Sequence, residues 1–190
     1  PQAADAVART AAALGAAREV ILDGVEAGRA AAFVITNVES SRFHLDRLRT
    51  RADDFDPDTR DRFLAGALLP GGWYVRAQEV RRWWAERFAA AFADVDVLIA
   101  PATPCPAPLI GQRTLELDGH EVLLRPNLGL FTQPVSCAGL PVVCAPVTGT
   151  GALPIGVQLI AAPWREDLCL RAAHALEAAG VAVARPPQAD

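Results

Sequence analysis

The sequence predicts an α/β fold, and three observations carry that prediction. Residues 73–92 repeat Val80, Trp83, Trp84, Phe88 and Phe92 at three- and four-residue steps, the period of a helix with one buried face. The runs 96–100, 142–147 and 155–160 are short, apolar and bounded by proline or glycine, as buried strands are. Helical and strand-like segments alternate along the chain, which is the pattern of helices layered on a sheet. With 190 residues, 52% of them apolar, the chain is long enough to bury a core as one domain.

Taken in order, Asp5 is placed to cap an alanine-rich helix that Gly15 stops. Residues 19–22 form a brief extended run, and a second helix starts at Val25. Residues 40–54 are polar, arginine-rich and weakly periodic. Asp56-Pro57 marks a new helix start with proline at its first position, and Pro70-Gly71-Gly72 breaks the chain before the helix of 73–92. Prolines 101, 104, 106 and 108 make a loop after the first strand. The pair 115–117 and 121–124 around Asp118-Gly119 reads as a hairpin. A loop at Pro126, two strands separated by the glycine-rich turn 149–151, and a helix over 165–179 ended by Gly180 complete the chain.

Composition narrows the function. All 18 basic residues are arginine, set against 13 Asp and 9 Glu, for a net charge of −4. That balance lacks the basic face a nucleic-acid binder needs. The absence of lysine excludes Schiff-base chemistry and any Ser-Lys pair built within these residues. Cys105, Cys137, Cys144 and Cys169 match no zinc-ligand spacing, and His44, His120 and His174 are far apart, so no metal is expected. Four free thiols, no apolar run of membrane length and no signal-peptide layout read as a soluble, cytoplasmic protein with no membrane partner. A start at Pro1 without any methionine reads as a fragment, a processed chain or a trimmed product.

Three ordered motifs carry a resemblance: Asp94-Val-Asp-Val-Leu-Ile-Ala-Pro-Ala-Thr-Pro, Phe131-Thr-Gln-Pro-Val-Ser-Cys-Ala-Gly-Leu-Pro-Val-Val and Leu153-Pro-Ile-Gly-Val-Gln-Leu-Ile-Ala. They resemble the C-terminal portion of the amidase signature family, and Asn37-Val-Glu-Ser-Ser and Trp73-Tyr-Val-Arg-Ala-Gln-Glu-Val-Arg extend the likeness over essentially the whole chain. The strings Leu124-Arg-Pro-Asn-Leu-Gly-Leu-Phe-Thr-Gln-Pro and Ala161-Ala-Pro-Trp-Arg-Glu-Asp-Leu look most like the branch that hydrolyses 1-carboxybiuret in s-triazine breakdown. The resemblance implies an α/β/α sandwich with a mixed central sheet, of which residues 1–190 are the C-terminal portion of a single amidase domain. It also implies a Ser-Ser-Lys triad in a glycine- and serine-rich N-terminal portion that this sequence does not contain. No catalytic residue is therefore assigned, no cofactor is implied, and the isolated chain is expected to be inactive. Ser40-Ser41 lacks the flanking glycines of an oxyanion-binding loop.

The expected contribution is the wall of a substrate pocket. Arg62 falls where the family's glutamine-using members place an arginine on the substrate carboxylate; the alternative is an exposed arginine paired with Asp58 or Asp61. Arg125, in a loop before Pro126, is a second cation for a ligand. Asn127, Thr132 and Gln133 border the implied acyl pocket, or cap and turn the chain. Tyr74 and Gln78, one helical turn apart, either line the site or serve packing. Gly129 stands where glutamine-dependent relatives carry an aspartate for the ammonium group, which suits a substrate lacking an α-amino group.

The leading expectation is a hydrolase that releases ammonia from a small carboxylated urea-type amide such as 1-carboxybiuret. Its partners would be that small molecule, the N-terminal portion and a small accessory subunit or second copy. Two other readings stand beside it, a non-catalytic binding or partner module and a protein like the glutamine-using subunit of glutamyl-tRNA amidotransferase.

Overall fold

A computed structural model describes residues 2–16 and 18–184. Its elements are helices α1 (Gln2–Leu14), α2 (Val25–Thr50), α3 (Pro57–Ala67) and α4 (Gly71–Ala91), strands β1 (Val97–Pro101), β2 (Thr114–Leu117) and β3 (His120–Leu123), helices α5 (Leu124–Leu128) and α6 (Thr132–Ala138), strands β4 (Val142–Val147) and β5 (Ile155–Ala161), and helix α7 (Glu166–Ala178).

β5 lies between β1 and β4 and pairs antiparallel with both, Ile99 facing Leu159 on one side and Val143 facing it on the other. Strand alternation then sorts the side chains into two layers. Ile155, Val157, Leu159 and Ala161 point to one face, where α1 and α7 cover them through Ala6 and Leu176. Ile160, Leu98 and Ala100 point to the other, where α2, α4 and α6 supply Ile35, Trp84, Phe88 and Val135. The result is the α/β/α layering that the family resemblance implies, although among the described residues its three-stranded sheet is antiparallel throughout rather than mixed.

Close helix contacts are set by two glycines. A Cβ on Gly28 of α2 would lie 2.7 Å from the Trp84 indole, and one on Gly66 of α3 would lie 2.1 Å from the Asn37 carbonyl oxygen. Only glycine lets α4 and α3 reach α2 at these depths. The Asp118-Gly119 turn joins β2 and β3 with both residues at positive φ, as a two-residue hairpin requires.

The structure corrects four local expectations. Residues 19–22 pair with no strand among the described residues; Glu19, Val20 and Leu22 instead line a cleft of about 1350 Å³ together with β1 residues such as Leu98 and with Phe88 and Asp94. The polar stretch 40–50 continues α2, because no glycine or proline interrupts it and Ser41 and Leu48 bury one narrow side. Asp5 lies inside the first turn of α1, where its charge favours the helix dipole without capping. Arg125 sits in the short helix α5, not in a loop. The helix at Pro57 begins as expected, with the Thr59 backbone N–H donating to the Asp56 carboxylate at 3.2 Å.

Candidate substrate-pocket wall

A second cavity, about 1170 Å³, opens between α2, α3 and the 111–133 segment. Four arginines line it, Arg29, Arg62, Arg113 and Arg125, against the two carboxylates Glu26 and Asp58, so its wall carries a positive excess. Phe33, Val34, Leu124 and Leu128 supply apolar surface between the charges.

The arginines differ in what already holds them. Arg125 donates to Asp58 at 3.0 Å and to the Thr59 hydroxyl at 2.9 Å, and lies 3.2 Å from Asp56, which ties α5 to the start of α3. Desolvation raises the Asp56 pKa, but the Arg125 guanidinium and the Thr59 backbone N–H outweigh it and hold the carboxyl below the usual range. Arg62 makes neither of the ion pairs open to it, since Asp58 goes to Arg125 and Asp61 to Arg60. Its guanidinium instead lies 5.2 Å over the Phe33 ring and 3.5 Å from Asn37 Oδ1, a stance that leaves most of its donors for a ligand. Arg113 forms no side-chain ion pair among the described residues.

Arg29 is the residue that sequence reasoning overlooked. Its Nε donates to Gln133 Oε1 at 3.0 Å, and one terminal nitrogen donates to Asn127 Oδ1 at 3.1 Å and to the Pro126 carbonyl at 2.7 Å. Two expected site residues, Asn127 and Gln133, are thus gathered by a third that was not expected. The only sequence signal is a lone cation among Ala27, Gly28, Ala30, Ala31 and Ala32, small neighbours that let it reach another element. Thr132 stays local, its hydroxyl 3.5 Å from the Gly129 carbonyl.

Tyr74 and Gln78 are brought together but outside this cavity's wall. The Tyr74 hydroxyl donates to Glu39 at 2.8 Å and accepts from Gln78 Nε2 at 2.9 Å. Arg81 continues the chain, donating to the Cys137 carbonyl at 2.8 Å, so this network braces α2, α4 and α6 against one another. Glu39 is the member that sequence did not suggest.

The remaining polar residues have structural places. Ser40 and Ser41 sit mid-helix, where backbone N–H groups are committed to the helix and none can face an oxyanion. His44 packs among Phe43, Phe55 and Phe63, stacking on Phe63 at 5.0 Å. Desolvation raises the thiol pKa of Cys105, Cys137, Cys144 and Cys169, with Arg81 offsetting part of it at Cys137, so none is poised as a thiolate. Among the described residues no three His, Cys, Asp or Glu side chains gather as a metal site would need, and no helix is long and apolar enough to cross a membrane.

This layering belongs to a known class: residues 11–170 match the Amidase family model, and the chain belongs to that family. It is 52% identical over 185 residues to AtzE of Pseudomonas sp. (strain ADP), a 1-carboxybiuret hydrolase subunit, covering 96% of this chain and 40% of that protein. A glutamyl-tRNA(Gln) amidotransferase subunit of Akkermansia muciniphila is 39% identical over 137 residues, covering 67% of this chain and 28% of that protein. Among solved structures, an inhibitor-bound vestigial protein complex bearing on the origins of an s-triazine catabolic enzyme superposes with a TM-score of 0.90 at 52% identity, over 96% of this chain and 40% of that one. A crystal structure of an amidase superposes at 0.83 with 28% identity, over 93% and 41%. The chain therefore spans about 40% of the length of AtzE and of that amidase.

Proposed function

We propose that this chain is the C-terminal portion of an amidase domain and forms one wall of the substrate pocket of an enzyme that hydrolyses a small carboxylated urea-type amide, with 1-carboxybiuret as the leading substrate and ammonia as a product. The observation that carries the reading is the cavity with four arginines and two carboxylates, of which Arg62 is held by a ring face and one weak hydrogen bond. A guanidinium fork matches a planar carboxylate in two parallel hydrogen bonds, and an apolar floor such as Phe33 and Leu128 strengthens them by excluding water. The 52% identity to a 1-carboxybiuret hydrolase subunit supports the same substrate class.

The chain holds no lysine, so the nucleophilic machinery of such an enzyme comes from outside these residues. A serine there would attack the amide carbonyl, ammonia would leave, and water would cleave the carbamoyl-enzyme. The open edge of β1 and the cleft beside it suit the packing of the remaining part of the domain. AtzE is one subunit of its enzyme, and we place this protein likewise in a complex.

A glutamine-using amidotransferase is the second reading, favoured by 39% identity to the Akkermansia protein. Gly129 argues against it, because no acidic side chain stands there to receive an ammonium group. In the full natural protein, Arg62→Met raises KM for 1-carboxybiuret about ten- to a hundredfold, the worth of a charge-assisted hydrogen bond. An unchanged KM in steady-state ammonia-release assays overturns the pocket assignment.

A further inference from the structure

We infer that Arg29 is a positioning residue that determines specificity: it locks the Gln133 amide with its oxygen away from the ligand, so that the cavity offers hydrogen-bond donors to its substrate. The inference rests on the reading of the cavity as a substrate pocket.

An amide side chain can present either a carbonyl oxygen or an NH2 group, and what it meets decides which. A guanidinium has five donors and no acceptor. Arg29 Nε lies 3.0 Å from the Gln133 amide, so only the orientation with Oε1 toward Arg29 makes a bond; the flipped amide sets donor against donor. The same guanidinium fixes Asn127, whose Oδ1 accepts at 3.1 Å while its Nδ2 donates to the Leu123 carbonyl at 2.9 Å. Asn127 is then engaged at both of its polar atoms. Gln133 is not, because its Nε2 meets no acceptor among the described residues, and it is not among the buried polar atoms left without a partner. That nitrogen remains free for a ligand, and Gln133 lines the same cavity as Arg62 and Arg113.

Gly129 belongs to the same device. A Cβ there would lie 3.1 Å from Gln133 Cγ and Nε2, tighter than ordinary contact. A side chain at 129 and the observed place of Gln133 therefore compete for one volume. With glycine the wall donates; with an acidic residue it would accept, and the glutamine would have to leave. A ligand whose edges are carboxylate and urea carbonyl oxygens fits the donating wall, and one bearing an ammonium group does not.

The test uses the full natural protein with 1-carboxybiuret and its uncharged analogue biuret. Gln133→Glu keeps an oxygen for Arg29, so the wall stays assembled, but it turns an anionic oxygen toward the ligand. Its expected KM for 1-carboxybiuret is at least about tenfold higher, with kcat changed less and the preference over biuret reduced. Arg29→Met gives a rise of similar size, Arg29→Lys does not rescue it because one ammonium cannot serve both amides, and Arg29→Met adds little once Gln133→Glu is present. A purely structural role for Arg29 would instead lower stability and kcat while leaving the ratio of the two substrates unchanged, which overturns the inference. If the parent protein hydrolyses 1-carboxybiuret and Arg29→Met leaves KM within about twofold, the Arg29 role falls alone. If the parent hydrolyses neither compound, the pocket reading falls and takes the donor wall with it.

Discussion

Trp84 and Arg29 both hold the segment that carries α5 and α6, and they do so by opposite means. The Trp84 indole is 1% exposed, lies against Gly28 and Phe88, and donates its single N–H to the Pro134 carbonyl at 2.8 Å. Arg29, half-buried, touches the same segment through three hydrogen bonds and lies at the cavity wall. The first contact is mostly area removed from water, with one polar group that must be matched. The second is mostly direction, since a fork of donors decides which atoms of its partners face outward. Stability is therefore expected to reside beneath α6 and selectivity at its half-buried start, on the same short stretch of chain.

The sharpest way to break that division is Trp84→Ala. Loss of a buried indole and the void it leaves should cost about 3–5 kcal/mol, read as a lower urea midpoint with unchanged slope. A cost near that of a surface substitution would mean that α4 does not anchor the segment. Gln158→Leu is the next largest. Gln158 is buried in β5 and donates to the Pro101 and Phe131 carbonyls at 2.8 and 3.1 Å, joining the end of β1 to the chain entering α6. Leucine removes both bonds and leaves a buried polar contact unmade, at about 1–3 kcal/mol. If instead the leucine variant is as stable as the parent, those carbonyls are satisfied by water and the strand is not what fixes α6.

The same division explains what could be read from sequence. Helix α4 was legible because Val80, Trp84 and Phe88 bury one side at helical spacing, and the strands because β5 is buried along most of its length. These are signals that a short window contains. The hairpin was legible from two residues, Asp118 and Gly119, whose positive φ few other pairs adopt. By contrast, α2 beyond Ser40 buries little except Ser41 and Leu48, so its period is faint although its backbone is continuous. Arg29 was illegible for a stronger reason. Its acceptors on Asn127 and Gln133 are 98 and 104 residues away, and nothing local to residue 29 names them. Arg62 and Arg125 were visible as candidates, but which carboxylates they take was not, because Asp56, Asp58 and Asp61 compete for several arginines across elements.

That competition makes the smallest expected effect the most discriminating about the rim. Asp56 does two jobs at once, capping α3 through Thr59 and facing Arg125 at 3.2 Å. Desolvation pushes its pKa up, yet the cation and the cap together carry it below the ordinary value of 3.8. A carboxyl whose folded pKa is depressed adds stability that is present above its unfolded value and disappears as pH falls through the folded one. Asp56→Asn retains a good capping oxygen and removes the charge, so it isolates the electrostatic part. The parent should exceed the variant in urea midpoint at about pH 6, and the two should converge only as pH falls below the ordinary carboxylate range and through the depressed folded value. The gap should also shrink in high salt, because both partners are exposed. A gap that persists unchanged at low pH would mean that the carboxylate acts by shape alone, and the tie between α5 and α3 would then have to rest on the Arg125 bonds to Asp58 and Thr59.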